Sequence, residues 1–254
     1  MVTVRIHQKL MAAGVHLACS GVLAAMAAVM VFHVWYPSPY GQMSGATDLF
    51  LIMVGVDIAL GPLATLVVFN AEKPRTKLLI DLLVVAALQL SALGYGMWTV
   101  FVARPVHLVF EYDRMRVVHA VEIPAVFLDR VPAGIDALPI WAPTLLALRP
   151  FKSNAEQTNA TLDALAGIEL SIRPELWQSY DQAVPEVLKS AKPLALLTAK
   201  NPAFAAPVRQ ALADLRRSAD DTVYLPLVSR TSFGTALLDA KTAQPLALLA
   251  LDSF

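Results

Sequence analysis

The sequence has a single cysteine, Cys19, and few charged residues. One cysteine excludes an internal disulfide and a zinc site built from several thiolates. Charged side chains make up 16% of the 254 residues, where soluble proteins have about 25%. Basic and acidic residues balance at 20 each, so no net charge attracts nucleic acid, which we do not expect as a partner. The hydrophobic fraction of 57% instead favours a membrane protein.

Charge is scarcest in the first hundred residues. Residues 10–103 include only seven charged side chains, whereas residues 104–254 carry 15 basic and 16 acidic ones. The change in composition falls at Arg104-Pro105. We therefore predict an N-terminal membrane module over residues 1–103 and a soluble domain over residues 104–254, a usual size for one domain.

Long apolar runs dominate the first module. A membrane-spanning helix needs roughly 20 such residues to cross a hydrocarbon core of about 30 Å. Three runs meet this length: residues 10–34, 49–69 and 78–102. The first also resembles a cleavable secretory signal, because basic residues precede it and Ala25-Met26-Ala27 resembles a cleavage site. Signal cores span only about 7–15 residues, and the apolar run continues to Val34, so a retained helix is favoured.

No basic residue occurs in the connection between the first two runs, residues 32–50. Arg5 and Lys9 precede the first run, and three basic residues lie between the second and the third. Because basic loops stay in the cytoplasm, this asymmetry predicts a cytoplasmic N-terminus. Three crossings then put the soluble domain on the other side. We expect a multi-pass protein of the bacterial inner membrane with a periplasmic domain.

Aromatic residues mark the expected outer surface of the membrane. Trp35 and Tyr36 follow the first run and are predicted to lie at the level of the lipid headgroups, as interfacial aromatics do. Pro37 ends the helix because proline lacks a backbone donor. Tyr95, near the outer end of the third run, is expected in the same belt. Residues 32–50 are therefore interpreted as a short external turn.

Polar residues are rare inside the runs, which makes each of them a candidate site. A carboxylate in the hydrocarbon core costs at least ~2.5 kcal/mol, so Asp57 should face a partner, a cavity or another polar group. Gln89 lies at similar depth and is predicted to hydrogen-bond to it. Asp81 and His16 lie nearer the cytoplasmic side and are predicted to pair with each other. Two hypotheses stay open: a seam that binds another transmembrane helix or a proton, and polar contacts within the bundle.

Gly61 and Pro62 follow Asp57 by one helical turn. A proline in mid-helix releases the carbonyl one turn earlier and kinks the helix. Small residues, as at Gly21, Gly55 and Gly96, let neighbouring helices approach closely. This spacing predicts close helix contacts, although it is common in helical bundles.

Motifs for catalysis and for metal or cofactor binding are absent from the sequence. None of the five histidines stands in a CxxCH or HExxH pattern, and the sequence has no phosphate-binding glycine loop and no GxSxG nucleophile motif. We therefore expect a protein that is not an enzyme and that holds neither a metal nor a cofactor.

Sequence periodicity in the soluble domain mixes strands and helices. Alternating apolar and polar residues at both ends indicate strands, and helix start signals occupy the middle. We predict an α+β domain with a small antiparallel sheet and helices on one face. The segment 106–123 is expected to form one strand, or two with a break near Asp113-Arg114. A short apolar strand at 144–148 is expected within the otherwise irregular, proline-rich segment 124–150, and further strands are predicted at 222–230 and at 235–252 with a turn at 241–244. The predicted helices are 154–165, 173–191 with an interruption at Pro185, and 201–219.

Several segments together resemble a known family. The segments VWYPSPY, LFLIMVGVDIALGPLATLVVFN, LLIDLLVVAALQLSALGYGMWTVFVARPV and VFEYDRMRVVHA look like the type IV pilin accessory proteins of the TfpX/TfpZ group. The similarity is strongest over residues 5–122. The positions it carries over are Trp35, Tyr36, Pro37, Asp57, Gly61, Pro62, Asp81, Gln89, Tyr95, Gly96, Arg104, Pro105, Asp113 and Arg114. Of these, Arg104-Pro105 and Asp113-Arg114 are expected to fix how the soluble domain sits on the membrane.

The resemblance implies an inner-membrane accessory factor for type IV pilus biogenesis, with the major pilin and the pilus assembly platform as partners. Under this hypothesis the helices around Asp57 bind the apolar helix of pilin, Gln89 receives an acidic residue of that helix, and residues 105–254 contact the pilin head. Two alternatives stay open. A periplasmic ligand-binding or sensor module needs a pocket in the soluble domain. A proton path through Asp57 and Asp81 needs a water-filled cavity, which three helices enclose only if the chain oligomerises.

Overall fold

The structure is a computed structural model that describes residues 2–254, with side chains from residue 6 onward. The side chain of Arg5, part of the basic N-terminal segment, lies outside the described residues. The chain forms two units, which we name by their main content. The helical unit comprises Met1–Pro37 and Gly45–Val102, and the sheet unit comprises Ser38–Ser44 and Ala103–Phe254.

Three helices of the helical unit are long and apolar enough to cross a membrane. They are α1 Val2–Val29, α3 Ala46–Val68 and α4 Arg75–Val102. A π-helical turn over Met30–Trp35 continues α1. The short helix α2, Tyr40–Met43, lies between α1 and α3 in the chain and belongs to the sheet unit. At about 1.5 Å per residue, even the 23 residues of α3 exceed the ~30 Å of a hydrocarbon core. All three helices begin before the predicted runs, because polar residues continue a helix beyond its apolar part.

α1 ends where the sequence has prolines. Its π-helical turn stops at Trp35, ahead of Pro37, which has no backbone N–H to donate. Tyr36 is only 1% exposed, and its hydroxyl donates to the Val100 carbonyl at 3.0 Å. Apolar neighbours and a carbonyl acceptor therefore hold the Tyr36 ring inside the helical unit, and its position at the headgroup level stays a prediction.

α3 packs against both α1 and α4. Gly96 permits the close approach of α4 to α3, because a Cβ at this position would lie 2.5 Å from the sulfur of Met53. Gly21 and Gly55 differ, since a Cβ at either position would meet open space. Gly96 is therefore the one of these three glycines that makes the predicted close contact between helices.

The sheet unit contains one sheet of eight strands and four longer helices besides α2. The strands are β1 Pro105–Glu111, β2 Arg114–His119, β3 Thr144–Leu148, β4 Trp177–Ser179, β5 Lys192–Pro193, β6 Thr222–Val228, β7 Phe233–Asp239 and β8 Pro245–Leu249. The helices are α5 Asn154–Leu165, α6 Val184–Ser190, α7 Leu194–Lys200 and α8 Ala205–Leu215. The strand order is β4-β3-β1-β2-β6-β7-β8, and β5 pairs with β6.

The predicted fold class is confirmed, since three helices of spanning length precede a soluble α+β domain. The sheet is larger than expected and mixed rather than purely antiparallel, because β1 runs parallel to β3 and β2 runs parallel to β6. Parallel neighbours require a long crossover connection, and four helices separate β2 from β6. Alternation in a sequence reveals a strand but not the direction of a distant neighbour, so this pairing could not be predicted.

Most predicted elements of the domain are observed. The 106–123 pattern divides into β1 and β2 at the predicted break, and β3 and α5 have the predicted bounds. The segment 173–191 differs, because it forms 3-10 turns and β4 before α6 begins at Val184. Pro185 therefore lies in the first turn of a helix, where its missing N–H does no harm, and does not interrupt one.

β1 runs through the centre of the core, with all seven residues buried. Leu108 and Phe110 belong to one apolar cluster and Val109 to another, as expected when alternate residues of a strand point to opposite faces. Because β1 is held on both faces, it fixes the position of Arg104 at its start and of the hairpin turn at its end.

Candidate functional site

Asp57 is a buried carboxylate in the middle of α3, with 9% of its surface exposed. Its backbone carbonyl accepts a hydrogen bond from Gln89 Nε2 at 3.2 Å. Among the described residues, no donor lies within hydrogen-bond distance of the carboxylate itself. The predicted bond from Gln89 is therefore made to the backbone of Asp57 and not to its side chain, so the carboxylate keeps its capacity to bind another group.

Gln89 on α4 is the centre of a polar cluster in the helical unit. Its Nε2 also donates to Ser20 Oγ at 2.9 Å, and its Oε1 accepts from His16 Nε2 at 2.5 Å. The orientation of the amide follows from its partners, since a backbone carbonyl only accepts. Both N–H groups and the oxygen of the amide are used, so Gln89 has no free donor for a residue of another protein.

His16 completes this cluster on α1. Because Gln89 Oε1 only accepts, His16 Nε2 carries a proton. In the neutral ring, Nδ1 then accepts from the Thr65 hydroxyl at 2.6 Å. Thr65 lies on α3, so one imidazole links all three helices. The polar contacts within the bundle are made by these side chains and not by the carboxylate of Asp57.

Asp81 does not pair with His16 as predicted. Its carboxylate accepts from Lys73 Nζ at 2.7 Å, and the same ammonium group donates to the Val68 carbonyl at 3.2 Å. Lys73 lies in the short connection between α3 and α4, where its flexible side chain reaches the carbonyl end of α3, a favourable place for a cation. The predicted pair is wrong because a nearer cation holds Asp81, while His16 is engaged with other groups.

A groove of about 300 Å³ runs between α3 and α4 beside Asp57, and we call it the α3/α4 groove. Its wall consists of Val56, Asp57, Leu60, Gly61 and Ala64 of α3 and Val85, Leu88, Gln89 and Ala92 of α4. Three large apolar side chains of this wall, Val56, Leu60 and Leu88, are exposed. Apart from Asp57 and Gln89 the surface is apolar, which suits an apolar helix. A second cavity, of about 170 Å³, also reaches Asp57.

Gly61 and Pro62 shape the α3/α4 groove. A Cβ at Gly61 would collide with the Gln89 side chain, so glycine is required for Gln89 to reach the backbone of Asp57. Pro62 lies inside α3 without ending it, and its missing N–H leaves the carbonyl of Ile58 without its helical donor. The close contact predicted for this segment is therefore made between α3 and α4 themselves.

Trp35 and Tyr95 are the remaining aromatic candidates for the interfacial belt. Trp35 is half-buried against Phe101, with ring centroids 5.0 Å apart. Tyr95 is exposed and lies beside Trp98 at a centroid distance of 6.0 Å. Neither takes part in the polar cluster, and their position at the headgroup level stays a prediction.

Arg104-Pro105 and Asp113-Arg114 lie at opposite ends of β1. Arg104 is buried in the sheet unit, and Pro105 is the first residue of the strand. Asp113 belongs to the turn between the two strands, and Arg114 contacts the Glu111 carboxylate at 3.0 Å. Because a strand of seven residues spans about 20 Å, these two pairs do not form one site.

Sequence reasoning missed the role of residues 38–44. This segment was interpreted as an external turn, yet it belongs to the sheet unit. Met43 is buried in the core of that unit, and its carbonyl accepts from the hydroxyls of Thr231 at 2.8 Å and Ser232 at 3.2 Å. The available signal was the presence of two large side chains, Tyr40 and Met43, in a turn without charge.

The sheet unit has a cavity of about 500 Å³ with a mixed lining. Small-molecule sites have volumes of about 300–1,000 Å³, so the size is suitable. Polar groups of the lining come from Tyr112, Gln178, Gln182, Glu186, Lys189 and Ser190, and apolar ones from Phe110, Leu148, Pro150 and Ala183.

Comparison with known proteins gives matches along the chain. The family model described as "Fimbrial assembly protein FimB" matches residues 4–45. Two relatives from Dichelobacter nodosus, the fimbrial assembly proteins of serogroup I and of serogroup E1, are each 33% identical over 245 residues, which is 95% of this chain and 94% of theirs. A third, of serogroups C1 and C2, is 39% identical over 119 residues, 47% of this chain and 88% of its own. No solved structure matches the chain.

Proposed function

The chain belongs to the fimbrial assembly protein family, and from this premise we propose that it is an accessory factor for pilus biogenesis in the bacterial inner membrane, without enzymatic activity. The two long relatives align over 94% of their length, so both units belong to the shared architecture. The finer resemblance to the TfpX/TfpZ group stays a prediction.

The inner-membrane location is supported by the type of span. Each helix satisfies its backbone hydrogen bonds within its own segment and can therefore cross a bilayer without pairing to another segment. Proteins of the bacterial outer membrane are instead typically closed β-barrels, so helical spans favour the inner membrane. Basic residues before α1 and between α3 and α4 favour a cytoplasmic N-terminus. In this proposal α1, α3 and α4 cross the membrane and the sheet unit lies in the periplasm.

The proposed partner is the major type IV pilin, bound through its apolar helix in the α3/α4 groove. The observation that carries this choice of site is the buried Asp57 carboxylate, which has no partner among the described residues. A carboxylate left in hydrocarbon costs at least ~2.5 kcal/mol, and a donor from a neighbouring helix offsets part of that cost. Because both N–H groups of Gln89 are already engaged, the reception of an acidic pilin residue by Gln89 is not part of this proposal. Asp57 is proposed instead to accept a hydrogen bond from a donor on the pilin helix.

The shape of the groove supports a helix as its occupant. Gly61, Ala64 and Ala92 are small residues of its wall, and small residues allow two helix backbones to come close in a membrane. The exposed side chains of Leu60 and Leu88 provide apolar surface beside them. In the periplasm, the sheet unit is proposed to contact the pilin head and the pilus assembly platform.

Replacing Asp57 with leucine is expected to lower the amount of pilin that co-purifies with the full-length chain about 3- to 20-fold, which corresponds to one interhelical hydrogen bond of ~0.6–1.7 kcal/mol. Asp48→Leu is the matched control, because Asp48 lies exposed in the first turn of the same helix. Asp57→Asn keeps hydrogen-bonding groups and is expected to retain most of the pilin. Equal capture by the wild type and all three variants would refute the site.

A second candidate function, a periplasmic ligand-binding module, is favoured by the 500 Å³ cavity of the sheet unit. A compound that occupies this cavity is expected to raise the melting temperature of the full-length chain, and to do so less in a Gln178→Ala variant. A library screen without any such compound would leave the assembly factor as the better supported proposal.

A further inference from the structure

Two large apolar side chains lie side by side on the surface of the sheet unit. Ile140 and Trp141 are 52% and 75% exposed. They belong to the segment LPIWAP, residues 138–143, which contains no charged or polar side chain, and we call it the 138–143 tip. Single exposed apolar residues are ordinary on protein surfaces, but an adjacent isoleucine and tryptophan in an uncharged segment mark a candidate interaction surface.

The 138–143 tip is attached to the residue that follows the last spanning helix. Arg104 donates from Nε to the Pro139 carbonyl at 3.1 Å and from its terminal guanidinium nitrogen to the Leu138 carbonyl at 2.8 Å. α4 ends at Val102, two residues earlier. Consecutive Cα atoms are about 3.8 Å apart, so Arg104 lies within about 8 Å of the helix end. The tip is thereby tied to a point close to where the chain leaves the membrane.

A second side chain, His107 of β1, holds the two ends of the tip. His107 Nε2 donates to the Ala137 carbonyl at 3.0 Å, and its Nδ1 accepts from the Thr144 hydroxyl at 2.7 Å. Ala137 and Thr144 are the residues directly before and after the tip. The ends of the tip are therefore held by one buried side chain of β1, while Ile140 and Trp141 between them remain exposed.

A further exposed apolar residue, Val121, follows a residue that is hydrogen-bonded to Arg104. The N–H of Ala120 donates to the Arg104 carbonyl at 2.9 Å, and Val121, the next residue, is exposed. His119, on the other side of Ala120, makes a hydrogen bond of 2.8 Å through Nε2 to Ser44 Oγ. Ser44 lies two residues before the start of α3. Two chain connections to spanning helices therefore meet at this face of the sheet unit.

From this placement we infer that the 138–143 tip enters the interfacial layer of the lipid bilayer, with Trp141 at the boundary between headgroups and acyl chains. Tryptophan prefers this boundary because its ring is apolar and its indole N–H is polar. Within the part of the chain that the structure describes, no acceptor lies within hydrogen-bond distance of the Trp141 N–H. Headgroup oxygens supply such an acceptor, and acyl chains cover Ile140.

The bilayer fits this surface better than a second protein does. Chain connectivity holds the tip near the membrane whether or not a partner is present, since Arg104 is covalently two residues from α4. The tip itself also carries no charged side chain that could pair with a charged group of a second protein. The inference depends on the helices crossing a membrane and not on the binding of pilin.

A depth measurement on the full-length chain tests the inference. A spin label is attached to Trp141→Cys in a Cys19→Ala background, and the protein is reconstituted without pilin in vesicles of phosphatidylethanolamine and phosphatidylglycerol. Leu165→Cys is the matched control, because Leu165 is an exposed apolar residue at the end of α5. Both substitutions replace surface side chains, so folding is expected to be retained.

The label at position 141 is expected to be several-fold more accessible to oxygen, which partitions into lipid, than to a water-soluble nickel chelate. The label at position 165 is expected to show the reverse preference. Chelate access at position 141 equal to that at position 165 would overturn the inference. Shielding of position 141 from both reagents would also overturn it, because the tip would then lie in a protein contact.

Discussion

Truncating Met43 to alanine is expected to lower the free energy of unfolding of the sheet unit by about 2–5 kcal/mol, the range for removing a buried methionine side chain. Only 2% of Met43 is exposed, and its side chain fills space beside Gly234, where an added Cβ would come within 2.6 Å of the methionine Cε. Surrounding atoms can close such a cavity only in part. The loop between the first two spanning helices therefore stabilises a domain formed mainly by residues far along the chain.

The measurement is thermal unfolding of the full-length protein in detergent, followed by limited proteolysis of the sheet unit. Gln42→Ala is the matched control, because Gln42 is the exposed neighbour of Met43 in α2. We expect a lower midpoint for Met43→Ala and an almost unchanged one for Gln42→Ala. Equal midpoints for the two variants would mean that residues 38–44 are not part of the sheet unit's core.

Acidification is expected to weaken the sheet unit through His107. Burial lowers the pKa of this imidazole from 6.5 to about 4. The unfolded chain therefore binds a proton at a higher pH than the folded chain, so the contribution is fully present above pH 6.5 and is lost as the pH falls through 4. At ~1.4 kcal/mol per pKa unit, the loss is about 3 kcal/mol.

Urea unfolding at several pH values between 7.5 and 4 measures this effect. His107→Gln, which keeps a donor for the Ala137 carbonyl, is expected to remove most of the pH dependence in this window. His7→Gln, on the exposed N-terminal part of α1, is the control and is expected to keep it. An unchanged pH dependence in His107→Gln would show that another group is responsible.

Local patterns in the sequence predicted the local structure well. The apolar runs indicated the three long helices, because a helix that crosses a bilayer needs about 20 consecutive, predominantly apolar residues. Alternation identified β1 and β2, and a short apolar run indicated β3. The change of composition at Arg104 lies one residue after Ala103, where the long segment of the sheet unit starts. These features depend on neighbouring residues, and a sequence displays them directly.

Long-range pairings were not predictable in the same way. Met43 packs in the core of the sheet unit, and its carbonyl accepts from Thr231 and Ser232, which lie almost at the other end of the chain. Likewise, Gln89 could be recognised as a polar residue at the depth of Asp57, but its choice of the Asp57 backbone over the carboxylate depends on how the helices are rotated. No short-range pattern encodes that rotation.

In the proposed complex, the α3/α4 groove binds the apolar helix of pilin beside Asp57. The most direct measurement is photo-crosslinking in intact membranes with a photo-reactive residue at Leu60, an exposed position of the groove that leaves Asp57 in place. We expect pilin to be captured from position 60 and this capture to fall strongly in the Asp57→Leu variant. A photo-reactive residue at Ile52, an exposed position of α3 outside the groove, is expected to capture little. Capture of only the protein itself, or equal capture of pilin from positions 60 and 52, would contradict the proposed complex.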